Sequence, residues 1–142
     1  MKIKNEKLLS VIEQTTCLAN LKMPGIVSLS VTKNRKRFVE AYKTFEETRN
    51  QLLESRAVKG EDGKPTTEPA LDSNKEIIKN KDGSLVLKYK FETPELEKEA
   101  IDEISKLEKL EVELTLDSID HKILENIECS PAQMEAILSL LD

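Results

Sequence analysis

The chain has 142 residues and a formal net charge of −5, and 35% of its residues are charged, 38% hydrophobic and 4% aromatic. This length fits one domain, residues 1–142, and the charged, aliphatic composition favours long solvated helices around a thin core. Two distant cysteines, Cys17 and Cys129, match neither a disulfide framework nor a metal-ligand spacing, which indicates a reducing cytosol. No uncharged stretch is long enough to cross a bilayer, so we expect no membrane partner.

Charge is divided unevenly along the chain. Residues 1–60 carry a net charge of +6, and residues 61–142 carry −11. The two parts would pack together in one fold, pair between subunits, or present two faces to different partners.

The first predicted element is an amphipathic helix over residues 4–21, whose apolar residues recur at spacings of three and four. The dipeptide Pro24-Gly25 ends it. A long second helix is predicted over residues 26–58, which contain neither Pro nor Gly. Its first residues alternate apolar and polar side chains as a strand would, so the helix begins either there or near Thr32.

Residues 59–74 are rich in turn-forming Gly, Pro, Asp and Ser, so we expect an exposed, mobile loop. Residues 75–91 predict a β-hairpin, because two apolar runs flank Asp82-Gly83, a dipeptide suited to a tight turn. One face of its second strand would carry alternate apolar residues: Leu85, Leu87, Tyr89 and Phe91. No internal repeat is evident.

Thr93 and Pro94 predict the start of an acidic helix that runs to about Leu110, because Thr is a favoured cap and Pro fits the first helical turn. Residues 111–116 alternate as a strand, residues 121–124 are compatible with a second short strand, and Ser130-Pro131 opens a last helix. Together these elements predict an α+β fold. It would contain a long antiparallel helical hairpin, short terminal helices, and a small antiparallel sheet or hairpin joining the segment after Ser84 to the strand at Val112.

Several short motifs occur in a characteristic order. A K-M-P helix break lies at residues 22–24, an E-D-G-K-P loop at residues 61–65, a V-x-L-x-L strand at residues 112–116, and an S-P-A helix start at residues 130–132. This order resembles a family of small, uncharacterised phage and prophage proteins, recorded as a domain of unknown function. The resemblance covers most of the chain, with the hairpin as the variable part, although residues 26–32 are more β-like than the family pattern. It implies a viral origin and assigns no active site.

Candidate catalytic residues surround the one histidine, His121. With Asp117 and Cys129 it would form a nucleophilic grouping, and with Asp117 and Asp120 a metal site. No oxyanion loop accompanies these residues, and the four glycines stand apart instead of forming a phosphate-binding loop. We therefore expect structural roles for these side chains, and a protein that is not an enzyme and holds no cofactor and no metal.

Residues 33–37 form the one basic cluster of the chain. The candidate partner-binding residues are its four cations and the aromatic residues that follow them: Lys33, Arg35, Lys36, Arg37, Phe38, Tyr42 and Phe45. The cations would meet a partner's carboxylates or phosphates, or else the protein's own acidic helix at residues 93–110. The overall acidity and the few aromatics argue against nucleic acid. The aromatics belong either to the core, which we favour, or to an interface.

The functional prediction follows from these exclusions and from the resemblance. We predict a non-catalytic, phage-encoded protein that binds another macromolecule, such as a host defence factor, in the cytoplasm of an infected bacterium. One alternative is a structural or assembly protein of the virion. Another is an oligomer that binds a small charged ligand in a basic pocket. Long amphipathic helices with few aromatics also lead us to expect a homo-oligomer.

Overall fold

A computed structural model describes residues 1–141 of the chain. The fold is α+β, as the sequence predicts, and it divides into two compact units: Met1–Glu46 with the residues from Leu107 onward, and Glu47–Lys106. In chain order the elements are β1 (Lys2–Lys4), α1 (Asn5–Gln14), a 3-10 helix (Thr15–Leu18), α2 (Gly25–Arg56), β2 (Thr67–Pro69), β3 (Leu87–Tyr89), α3 (Pro94–Lys109), β4 (Glu111–Glu113), α4 (His121–Leu124) and α5 (Pro131–Ser139).

The start of the long helix lies at Gly25, so the β-like residues after it are helical. Val27, Val31 and Phe38 are buried in the core of the first unit at helical spacing. In a strand Leu29 would share the buried face of Val27 and Val31, but its side chain is 56% exposed, as its position in a helix requires. Burial therefore outweighs the β preference of the branched side chains.

The first unit contains a two-stranded antiparallel sheet, in which Ile3 of β1 pairs with Val112 of β4. The prediction that the strand at Val112 pairs with the segment after Ser84 is therefore wrong. The pairing continues past β4, because the Leu114 backbone N–H donates to the Met1 carbonyl at 2.8 Å. The alternation of apolar and polar residues predicted the strand at Val112 correctly. The same alternation is present in β1 and in the segment after Ser84, so it does not indicate which of them pairs with that strand.

Two short helices follow the sheet. Residues 121–124 form α4 and not the strand considered above, because the Asp120 carboxylate accepts a hydrogen bond from the Lys122 N–H and caps a helical turn. The last helix, α5, begins as predicted. Ser130 and Gln133 form a reciprocal capping box with Pro131 in the first turn.

The second unit contains three short hairpins with one shared pattern. Residues 59 and 65, 71 and 77, and 79 and 85 form equivalent antiparallel bridges. Each hairpin closes through a turn with a residue at positive φ, respectively Gly63, Lys75 and Gly83. This geometry matches a three-residue loop ending in a left-handed residue. The chain thus contains a structural repeat, and its first and third hairpins share the pattern Lys-x-x-Asp-Gly at residues 59–63 and 79–83.

The hairpins meet at two three-way junctions of backbone hydrogen bonds. At one junction Ala70 donates to Val86, Val86 to Ile78, and Ile78 back to Ala70, at 2.8 to 3.0 Å. At the other, the same cycle joins three further residues: Val58, Thr66 and Lys90. The paired strands β2 and β3 connect the two junctions, with Glu68 opposite Lys88.

These junctions revise the predicted loop and hairpin. The segment 59–74, expected to be a loop, contains one complete hairpin and strand β2, and residues 84–86 pair with the preceding strand as predicted. Residues 87–89 pair instead with β2. Turn-forming residues predicted the bends correctly, but they carry no information on which segments pair. The two long helices contact each other in this unit, because Arg56 of α2 forms an ion pair with Glu103 of α3.

Candidate partner-binding groove

A groove of about 550 Å³ lies in the first unit, between one face of α2 and the segment that runs from Thr15 to Met23. Its floor is mainly apolar and includes Leu18 and Val31, and one side is open to solvent. The residues of α2 that line it recur at three- and four-residue spacing: Ser28, Val31, Thr32, Arg35, Lys36 and Val39.

The opposite wall follows from the way α1 ends. Thr15 is buried, its hydroxyl donates to the Ile12 carbonyl at 2.9 Å, and the chain tightens there into the 3-10 helix. Pro24, in the K-M-P motif, lies in the break before α2. Leu21 and Met23 are held between these two points and line the groove.

Two cations of the basic cluster border the groove. The Nε of Arg35 donates to the Thr15 hydroxyl at 3.2 Å, which bridges the two walls and leaves the terminal nitrogens of the guanidinium for other acceptors. The side chain of Lys36 is 76% exposed, and its Nζ lies 3.7 Å from the Glu40 carboxylate, a weak surface pair. This part of the groove is therefore positively charged.

The other two cations of the cluster bind Asp117. Arg37 forms an ion pair with the Asp117 carboxylate at 2.7 Å, and Lys33 lies 3.8 Å from it. The hydrogen bond from Arg37 lowers the pKa of Asp117 below its ordinary value. Positions 33 and 37 are one helical turn apart, so both side chains reach the same carboxylate. The alternative in which the cluster contacts the acidic helix at residues 93–110 is wrong, since its acidic partners are Asp117 and Glu40.

The aromatic candidates lie in or beside the core. Phe38 is fully buried in the core cluster, and Tyr42 is partly buried against it. Phe45 is also buried, with its ring centroid 6.2 Å from that of Tyr42, and the Tyr42 hydroxyl donates to Glu46. The core position is the one favoured from the sequence, and it leaves Phe38 inaccessible to a partner of this chain.

Asn34 is the residue that sequence reasoning missed. It is fully buried, and its amide nitrogen donates to the carbonyls of Asp117 and Leu140 at 2.8 and 2.9 Å. Its amide oxygen accepts from the Asp117 N–H and from Arg37. A signal was present, since Asn34 occupies a core position between Val31 and Phe38 on the buried face of α2.

Exposed apolar side chains lie on both units. Val39 lines the groove, and Leu29, 56% exposed, lies next to the groove residue Ser28 in α2. In the second unit, exposed apolar residues are concentrated on the hairpins: Leu71, Ile77, Ile78, Leu85 and Leu87. A smaller depression of about 390 Å³ lies beside β2 there. Its one lining cation, Lys88, forms ion pairs with Glu97 and Glu68, so this depression has no excess positive charge.

The residues considered for catalysis have separate structural positions. Asp120 caps α4, His121 is the exposed first residue of that helix, and Cys129 packs against the core. Within residues 1–141, no three His, Cys, Asp or Glu side chains are grouped so that they could hold a metal ion. Likewise, no helix in the described part of the chain combines the length and apolar character needed to cross a membrane.

Comparisons with known proteins add no relative. No protein-family model, no curated protein and no solved structure matches the chain. The resemblance to small phage and prophage proteins therefore stays a prediction from the motifs quoted above.

Proposed function

We propose that this is a non-catalytic protein that acts by binding a partner protein, and that the groove along α2 is its binding surface. The observation that carries the proposal is one apolar groove of about 550 Å³ bordered by Arg35 and Lys36. Apolar floors with a few placed polar groups are typical of binding sites. An apolar surface left open to water is also costly unless a partner covers it.

A protein partner fits this surface better than a nucleic acid does. Nucleic-acid sites track a backbone with a stripe of cations or stack bases on aromatic side chains. Here Lys33 and Arg37 are engaged by Asp117, and the residues that line the groove include no aromatic side chain.

The biological setting of the proposal rests on the family resemblance alone. We place the protein in the cytoplasm of an infected bacterium, where its partner is a host factor such as a defence component. A role in virion structure or assembly is the alternative. The two differ in the identity of the partner and share the groove.

The test is affinity capture of the tagged full-length chain from infected cells, comparing three forms. The wild type should retain one partner at fixed stoichiometry, and the variant R35E/K36E should lose it. The control K7E/K122E makes the same change in charge at two exposed lysines of the same unit and should retain the partner. Equal retention by all three forms would contradict the proposal. Capture of virion proteins instead of a host protein would favour the role in virion structure or assembly. Light scattering of the purified protein measures its molar mass, and we expect a multiple of the mass of one chain.

A second candidate function is supported by the size of the groove. Its volume falls within the range of small-molecule sites, and two cations at one part of an apolar groove suit a small anionic amphiphile. Native mass spectrometry of the purified protein tests this reading. A bound mass that R35E/K36E lacks would support it, and an unliganded mass at all protein concentrations would contradict it.

A further inference from the structure

We infer that the groove accommodates one amphipathic helix of the partner, with its apolar face on the groove floor and its carboxylates toward Arg35 and Lys36. This inference rests on the proposed function, because it specifies what occupies the same groove.

The walls of the groove favour a helix over an extended strand. One wall is α2 and the other begins with the 3-10 helix at Thr15–Leu18. Backbone N–H groups within helices are already bonded, and the other lining residues of the second wall, Ala19, Leu21 and Met23, belong to no strand, so neither wall is a strand edge. An extended peptide added to a sheet needs such an edge.

The dimensions also suit a helix. The lining residues of α2 extend from Ser28 to Val39, which corresponds to about 16 Å at the rise of an α-helix. Three helical turns cover that length, enough for apolar anchors spaced i, i+3 or i+4, and i+7. Because one side is open, an amphipathic helix keeps its polar face in water, whereas a small apolar ligand would remain partly exposed.

The charged residues of the groove indicate which charges the occupant carries. Arg35 and Lys36 lie toward the Val39 side of the groove, while Leu21 and Met23 belong to the opposite wall and carry no charge. The terminal guanidinium nitrogens of Arg35 suit a carboxylate, which they can bind in a paired arrangement. The occupant should therefore combine apolar anchors with Asp or Glu residues grouped within about one turn of each other, and lysines in that place would be repelled.

The test is an unbiased selection of random 16-residue peptides on the full-length protein, followed by binding measurements on the selected peptides labelled with fluorescein. We expect a consensus of apolar residues at helical spacing with grouped Asp or Glu, and an increase in helical circular dichroism on binding. R35E/K36E should bind these peptides at least tenfold more weakly than the wild type. K7E/K122E should bind them as the wild type does, and both variants should keep its circular dichroism spectrum.

Different failures have different meanings. Selected peptides that are extended, basic or rich in proline, yet still lose affinity with R35E/K36E, would overturn the helical occupant and leave the groove as the binding surface. A selection that yields no saturable binder would overturn the inference alone, because affinity capture tests the groove separately. Peptides that bind R35E/K36E as tightly as the wild type would overturn both the inference and the proposed function.

Discussion

The side-chain amide of Asn34 and the backbone of Asp117, 83 positions apart, exchange two hydrogen bonds of 2.8 Å, one in each direction. Arg37 then contacts both residues, the Asn34 oxygen and the Asp117 carboxylate, at 2.7 Å. This connection fixes the segment after β4 against the buried face of α2. The neighbouring face of the same helix forms the groove, so the connection stabilises the helix that carries the candidate site.

Replacing Asn34 should destabilise the first unit. Asn34→Ala removes four hydrogen bonds and leaves the Asp117 N–H and the Leu140 carbonyl without their partner, which should cost about 2–4 kcal/mol. Urea unfolding followed by circular dichroism measures the loss. The control Asn50→Ala, at an exposed position of α2, should stay within about 0.5 kcal/mol of the wild type. Equal midpoints for the two variants would contradict the role of Asn34.

Asp117 should make the stability of the first unit depend on pH in the acidic range. Arg37 lowers the pKa of this carboxyl in the folded state, so its contribution is present above the ordinary carboxyl pKa and is lost as the pH falls through the lowered value. The urea midpoint of Asp117→Asn should lie below that of the wild type at pH 7, and the difference should narrow as the pH falls below the ordinary carboxyl pKa. A constant difference from pH 7 to pH 2.5 would contradict the ion pair.

Two glycines should respond oppositely to alanine. Gly83 has a φ of 85° in a hairpin turn, so Gly83→Ala should cost about 1–2 kcal/mol. Gly25 opens α2, and a methyl group there would meet no atom within 4 Å, so Gly25→Ala should be neutral or stabilising by about 0.5 kcal/mol. Hydrogen exchange measures both effects locally, at the Asn80 amide for Gly83→Ala and at the Ser28 amide for Gly25→Ala. Unchanged protection of Asn80 in Gly83→Ala would contradict the turn geometry.

The two hairpins within residues 70–86 should be dispensable for binding through the groove. Pro69 and Leu87 are paired, so replacing residues 70–86 with Asn-Gly should close β2 and β3 into a simple hairpin. All the residues that line the groove lie in the other unit. We expect the shortened protein to capture the same partner, with affinity within about threefold of the wild type. Loss of the partner, with the circular dichroism of the helices preserved, would move the binding surface to the exposed apolar residues of the hairpins.

Much of the fold is predictable from local chemistry. The spacing of apolar residues located the helices, and Thr93, Pro94 and Ser130 marked two of their starts, because caps act within one turn. Pairing between distant strands was not predictable, because β1, β3 and β4 are short and similar in pattern. The repeat of three hairpins is only partly visible in the sequence, because the first and third turns end in Asp-Gly whereas the second ends in Asn74-Lys75.

The candidate site was predictable only in part. The basic cluster identified Arg35 and Lys36, but spacing alone did not separate them from Lys33 and Arg37, whose acidic partner Asp117 is 80 positions from Arg37. The groove itself depends on the 3-10 helix after α1. The amphipathic pattern of the sequence does not separate this 3-10 helix from α1 and predicts one continuous helix. A contact between segments far apart in the chain leaves no local pattern in either of them.

The central claim, that the groove contacts the partner, is tested most directly by site-specific photo-crosslinking in infected cells. Val39 in the groove and Leu9 elsewhere in the same unit are matched in exposure, at 38% and 39%, and each is replaced in turn by p-benzoylphenylalanine. Irradiation should join the position-39 variant to one partner protein and leave the position-9 variant uncrosslinked. Crosslinking from position 9 alone, or equal crosslinking from both positions, would contradict the claim.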